Sequence, residues 1–212
     1  VWGFDIRAEV ADAFAEETGN IEAFEDVSSQ IDVVVLVVLN RAQATDIMFG
    51  QRGIVKQLQP GSCIINCVTI SFEDARLAAS RCAYSNIAYL DAPISGGAIK
   101  AAEGALTIMA SGTPEAFKQS QACLDAMAET VFELGDSAGK GSLLKSVNQM
   151  LAGIHIAAMA EALSFGMKQG LDPQTFLDVI QKCAGTSWML ENRTPHIIEG
   201  DYSPKSAVNI WL

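Results

Sequence analysis

Three groups of residues have the types and spacing to do chemistry. Lys145, Asn148 and Gln149 stand at i, i+3 and i+4 in a stretch of helical periodicity, which places them on one helix face. A lysine beside two carboxamides can hold a small hydroxy acid. Apolar surroundings would lower the lysine pKa and let it exchange a proton near neutrality. The same spacing also suits a solvated polar stripe. Ser95-Gly96-Gly97 forms the second group. Adjacent glycines let the backbone approach a ligand closely, with N–H groups facing a carboxylate and Ser95 adding a hydroxyl donor. A tight loop requiring positive φ accounts for the glycines as well. The third is Asp5, which ends the short apolar run from Val1. An acid there can accept hydrogen bonds from the ribose hydroxyls of a dinucleotide and repel a 2′-phosphate. It is equally a common turn residue, and Arg7 could instead receive such a phosphate.

These groups need elements to position them. Strand-like runs at Val1–Asp5, Asp32–Leu39, Ser62–Val68, Ile87–Leu90 and Leu106–Ala110 alternate with helix-like stretches through about residue 135, the pattern of a parallel α/β sheet. The β-branched run Asp32–Leu39 reads as a strand buried on both faces. Ser71, with Asp74 three residues on, reads as a helix cap, and Thr113-Pro114 as a second helix start. From about Gly141 to Lys168 there is no proline, and Leu144, Val147, Leu151, Ile154, Ala158, Ala162 and Phe165 recur at helical spacing. That predicts one long helix closed by Gly170, then a helix capped at Asp172-Pro173, in an all-α second part. Expected domains are therefore 1–138, a Rossmann-type parallel-sheet domain, and 139–212, a helical domain joined through the long helix. No internal repeat or low-complexity segment is present.

Bulk properties narrow the function. Half of the 212 residues are hydrophobic and 18% are charged, as for a packed core. The net charge of −11 argues against nucleic acid as a partner. The longest apolar run, Val33–Leu39, is too short to span a bilayer. Five cysteines without a CxxC pair, and only two histidines, argue against a metal site and fit reduced thiols in a cytoplasm. Gly139–Lys145 looks superficially like a phosphate loop, but its spacing is not GxxxxGK[ST].

Two longer motifs carry a resemblance. Asp91-Ala92-Pro93-Ile94-Ser95-Gly96-Gly97, followed by Gly104-Ala105-Leu106-Thr107, matches D-x-P-x-S-G-G and G-x-L-T. Gly139 to Gln149 matches G-x-G-x-x-x-K-x-x-N-[NQ] about forty residues later. In this the chain resembles the β-hydroxyacid dehydrogenase family, which includes 3-hydroxyisobutyrate dehydrogenase, tartronate semialdehyde reductase and, more distantly, 6-phosphogluconate dehydrogenase. The segments Leu151–Ile156, Gly185–Met189 and Glu191–Arg193 are similar to its L-threonate dehydrogenase branch.

The resemblance implies that Ser95, Gly96 and Gly97 hold the substrate carboxylate, that Lys145 is the general acid/base and that Asn148 fixes the reacting oxygen. Gln149, Ser187 and Asn192 would also reach the substrate. Thr69 would contact the nicotinamide side, and the Leu39-Asn40 turn would line the cofactor's path, where the family often has Leu-Pro. The implied cofactor is NAD, with NADP as the alternative, and no metal. The implied substrate is a small hydroxy acid: L-threonate first, 3-hydroxyisobutyrate or tartronate semialdehyde otherwise. A homodimer or homotetramer without a membrane partner is expected. A rival of another class is a non-catalytic oligomerisation scaffold of the same fold, against which Lys145 and Asn148 speak. The chain opens with Val1 rather than Met and ends in the apolar pattern Asn209–Leu212. Further residues are therefore expected on both sides, including the G-x-G-x-x-G loop before Asp5 and a Lys-Asp-Leu segment after Leu212.

Overall fold

The structure, a computed structural model, describes residues 1–18, 20 and 22–203; the Asn209–Leu212 run lies outside them. Two compact units divide the chain at Val1–Leu143 and Leu144–Leu212.

In the first unit three strands, β1 (Val33–Leu36), β2 (Cys63–Asn66) and β3 (Ala88–Asp91), pair in parallel and in register. Their connections run through helices, as parallel pairing requires. These are α3 (Arg41–Phe49) and α4 (Phe72–Ala83); the short helices α1 (Ala8–Thr18) and α2 (Phe24–Val27) precede the sheet. The order continues β3-β5-β4, with β4 at Ile94–Ser95 and β5 at Leu106–Gly112, and β6 (Ala128–Glu133) pairs with β5. Between β4 and β5 lies α5 (Gly97–Ala102), and between β5 and β6 lies α6 (Pro114–Met127). The α/β class is therefore as expected, but the sheet is mixed: β5 runs antiparallel to β3 and β4, and parallel to β6.

Strand β2 explains why the sheet holds. Cys63, Ile64, Ile65 and Asn66 are all fully buried. Ile64 packs with Val27, Met48, Val68 and Ala75 on one face, while Cys63 and Ile65 pack with Leu90, Ile108 and Leu124 on the other. A strand covered on both faces reads as a nearly continuous apolar run, and its one polar residue, Asn66, is met by donating to the Tyr89 hydroxyl at 2.8 Å. The same expectation fails for the run at 32–39. Only Val33–Leu36 form a strand, of which Leu36 alone is buried, and Val37 and Leu39 are exposed. This strand lies at one end of the described sheet order, with β2 as its neighbour, so its outer flank has less to pack against. Val1–Asp5 is likewise not a strand, because no ladder pairs with it among the described residues.

Helix starts follow the cap residues. Ser71 accepts from the Asp74 N–H at 3.1 Å, and its own hydroxyl donates to the Asp74 carboxylate at 2.8 Å. Thr113 accepts from the Ala116 N–H at 3.2 Å, ahead of Pro114.

The second unit carries most of α7 (Lys140–Lys168, 29 residues), then α8 (Pro173–Ile180) and α9 (Trp188–Glu199). Gly170, at φ +87°, ends α7. The Leu171 N–H donates to the Gly166 carbonyl and the Gly170 N–H to the Met167 carbonyl, the paired bonds of a Schellman stop. Met159 and Leu163 of α7 pack with Phe176, Leu177 and Leu190 as this unit's core. All five cysteines are free: Cys63, Cys67 and Cys82 are buried, Cys123 is half-buried and Cys183 is exposed.

Candidate active site

In an open parallel sheet the loops leaving the carboxyl ends of the strands are the ones available to a ligand. Three sequence-predicted segments lie just past such strand ends, the third spanning the short strand β4 and the start of α5. Leu39 and Asn40 follow β1, Thr69 follows β2, and Ser95, Gly96 and Gly97 follow β3. Asn40 has a structural duty as well. Its side chain accepts from the Gln43 N–H at 3.0 Å while Gln43 Oε1 accepts from the Leu39 N–H at 2.9 Å, a reciprocal cap that starts α3. Asn40 and a proline thus serve one local purpose, starting a helix. Leu39 is about half exposed, as is Val37, so this rim offers apolar surface to a flat ring. Thr69 is half-buried.

Asp5 precedes α1 and is paired with Arg7. Its Oδ1 accepts from the Arg7 backbone N–H at 2.9 Å and from Arg7 Nε at 3.3 Å. The backbone bond first, and the side-chain bond second, hold the carboxyl below its usual range. An ionised acceptor is what ribose hydroxyls need, and the arginine that would favour a phosphate is engaged by the acid itself. These residues fit the adenosine and ring portions of a nicotinamide dinucleotide.

Gly96 and Gly97 take φ values of +132° and +69°, so the tight-loop reading of these glycines holds. It does not compete with ligand binding: both are exposed, and a Cβ on Gly97 would meet nothing within 4 Å. Ser95 is half-buried at the end of β4, paired with Thr107. Lys100, on α5, reaches Glu129 at 3.6 Å and Glu103 at 4.0 Å, tethering this segment on its exposed side.

On α7, Lys145 is only 8% exposed, and burial alone lowers its pKa from the ordinary 10.5. A desolvated ammonium is the disfavoured form, so the amine gives up its proton more readily. Asn148 is exposed and Gln149 half-buried. Asn148 Nδ2 donates to Gln149 Oε1 at 3.3 Å, so the three side chains do not form one uniformly solvated stripe. On α9 the Ser187 hydroxyl caps the helix by accepting from the Leu190 N–H at 3.1 Å, and Asn192 is exposed. Trp188, the first residue of α9, is 64% exposed.

Residue types and spacing alone assign no role to Asp91, whose carboxylate is completely buried at the end of β3. Its Oδ2 accepts from the Gly139 N–H at 2.9 Å, the Ser142 N–H at 2.9 Å and the Ser111 hydroxyl at 3.1 Å. Its Oδ1 accepts from the Ser142 hydroxyl at 2.6 Å, and Ser111 Oγ in turn accepts from the Gly141 N–H at 3.0 Å. No lysine or arginine pairs with it among the described residues. The first turn of α7 and two serines therefore satisfy a buried anion, as the positive end of a helix can. This also accounts for the glycines of the second motif. Gly139 takes φ +114°, and a Cβ on Gly141 would stand 2.2 Å from the Met109 carbonyl oxygen. A signal was present: an acid closing an apolar strand and followed by Ala-Pro must find donors inside the protein.

Residues 1–135 match the family described as the NAD binding domain of 6-phosphogluconate dehydrogenase. Residues 139–212 match the family described as NAD-binding of NADP-dependent 3-hydroxyisobutyrate dehydrogenase. The L-threonate dehydrogenase of Cupriavidus necator is 43% identical over 209 residues, covering 98% of this chain and 70% of that protein. The crystal structure of 3-hydroxyisobutyrate dehydrogenase from Salmonella typhimurium superposes with a TM-score of 0.90 at 39% identity, over 99% of this chain and 74% of that one. Psf3, solved in complex with NADP+ and 2-OPP, gives 0.83 at 25% identity, over 93% and 70%. With both motifs, both family matches and the fold in agreement, this chain belongs to the β-hydroxyacid dehydrogenases, the NAD(P)-dependent oxidoreductases of CH–OH groups that include 3-hydroxyisobutyrate dehydrogenase.

Proposed function

We propose that the substrate is a four-carbon sugar acid such as L-threonate, oxidised at a carbon bearing a hydroxyl, and that NAD is preferred over NADP. The observation that carries the reading is Lys145: a buried lysine of lowered pKa, on the helix that begins at the second motif. The bound nicotinamide supplies the hydride acceptor for oxidation and the donor for reduction. The amine of Lys145 takes the hydroxyl proton as the substrate is oxidised and returns it in the reverse direction. Asn148 orients the reacting oxygen. Ser95 and the backbone N–H groups at Gly96 and Gly97 hold the carboxylate, and Gln149, Ser187 and Asn192 contact the rest of the acid. Leu39, Asn40 and Thr69 line the cofactor, and Asp5 accepts from its ribose hydroxyls. Support for the four-carbon acid comes from the identity to L-threonate dehydrogenase. Within the same class, 3-hydroxyisobutyrate or tartronate semialdehyde is the alternative.

The second unit also supports assembly with another copy. Met150, Leu151, Ile154 and Phe165 of α7 are all about half exposed or more. By length and composition α7 could cross a bilayer. Its family match makes it part of a dehydrogenase domain instead, so we assign its apolar surface to a subunit contact in a cytoplasmic homodimer or homotetramer.

A panel of three- and four-carbon hydroxy acids, each assayed with NAD and with NADP, tests the assignment. The highest catalytic efficiency is expected with L-threonate and NAD. A higher efficiency with 3-hydroxyisobutyrate would move the substrate to the alternative, and a clear NADP preference would shift the cofactor role from Asp5 to Arg7.

A further inference from the structure

We propose that Asp91 is a positioning residue for proton transfer: its carboxylate fixes the first turn of α7 and thereby sets where Lys145 stands. The proposal rests on the reading of Lys145 as the proton-transfer group. Burying a carboxylate without a counter-cation is costly unless its lone pairs are met, yet this fold keeps one and surrounds it with four donors. Two of them, the N–H groups of Gly139, just ahead of α7, and of Ser142, in its first turn, converge on a single oxygen, Oδ2. The Ser142 hydroxyl engages the other oxygen. A helix held at both oxygens of one carboxylate can neither slide nor rotate without breaking charge-assisted bonds. Gly141 removes the side chain that would keep this turn off the Met109 carbonyl.

Ser142 precedes Lys145 by three residues on the continuous helix, an axial rise of about 4.5 Å. A displacement of the first turn therefore reaches the lysine's Cα almost undamped. Misplacing a reacting group by on the order of 1 Å can cost ~10²-fold in rate. The carboxylate also stands four residues before Ser95 on the same strand-to-loop segment. One residue of the first motif thus holds the start of the helix that carries the second.

Substitutions separate geometry from charge. In Asp91→Asn the amide oxygen can take the Oδ2 place and keep the Gly139 and Ser142 N–H groups. Its NH2 then faces Ser142 Oγ, whose hydroxyl turns to accept. Asp91→Ala removes every one of these acceptors. Ser142→Ala removes the Oδ1 bond while leaving the backbone N–H bonds to Oδ2, and serves if the Asp91→Ala protein does not fold. Turnover, cofactor KM and thermal midpoint are measured for each in the purified enzyme, and Ser142→Ala is repeated in a Lys145→Ala background. We expect Asp91→Asn to keep turnover within about threefold. Asp91→Ala, and to a lesser degree Ser142→Ala, should lower it by about tenfold or more in protein folded at the assay temperature, with cofactor KM unchanged. In the Lys145→Ala background Ser142→Ala should cost nothing further. Lowered midpoints with intact turnover would reduce Asp91 to a stability role and overturn the proposal. So would a loss with Asp91→Asn as large as with Asp91→Ala, or a Ser142→Ala effect of equal size in both backgrounds. A Lys145→Ala enzyme of normal turnover would instead overturn the Lys145 reading, and this proposal with it.

Discussion

At the scale of single residues, the buried amine of Lys145 sets the clearest expectation. Lys145→Ala should lower turnover by roughly 10²–10⁴-fold, the range for losing a general acid or base. Cofactor affinity should change little, and Lys145→Arg should not restore activity because guanidinium holds its proton at neutral pH. The pH dependence has a definite sign. Burial lowers the pKa, so the neutral amine that accepts a proton is populated at lower pH than for a free lysine at 10.5. Turnover in the oxidation direction should therefore rise with pH and level off below the ordinary lysine range, and the Lys145→Ala enzyme should lose that limb. Stopped-flow or steady-state rates across pH check both points; near-normal turnover in the alanine variant would remove Lys145 from the chemistry. Lys145, Asn148, Ser95 and the loop glycines could be singled out from the sequence because their types and spacing resemble a chemical apparatus. Asp91 stands at the head of the first motif, but its type and spacing do not name its partners. Its partners Ser111 and Ser142 lie 20 and 51 residues away, and no local pattern records a hydrogen bond across that separation.

At the scale of elements, local chemistry was the readable part. Caps at Ser71, Thr113 and Asp172 fall where Ser or Thr before an acidic turn, or Asp before proline, announced them. Because Ser71 both accepts from and donates to Asp74, Ser71→Ala should cost about 1 kcal/mol, a fall of roughly 2–4 °C in thermal midpoint for a chain of this size. Calorimetry on the two proteins decides it, and an unchanged midpoint would show the cap to be energetically idle. What did not show in the sequence depended on neighbours. Helix α3 buries only Ala44 and Met48, too few positions for an apolar stripe to stand out. Strand β6 has no fully buried residue and is a strand because β5 lies beside it. Val1–Asp5 shows the converse: apolar and β-branched character does not make a strand without a partner ladder.

At the scale of the whole molecule, the exposed apolar side chains of α7 lead to the assembly expectation. Sedimentation at micromolar concentration should give a dimer or larger, and a monomer there would return that surface to solvent and remove the proposed contact. The distribution of thiols has another consequence. Burial pushes the Cys67 and Cys82 pKa values up to about 12, so at pH 7 each is ionised only about one part in 10⁵. Both belong to the sheet-bearing unit, whereas Cys183, in the helical unit, is exposed. A thiol reagent should therefore consume Cys183 at once and the other two only as fast as the sheet opens. The chain carries its own chemical clock for the opening of one unit, readable by mass without any assay of catalysis.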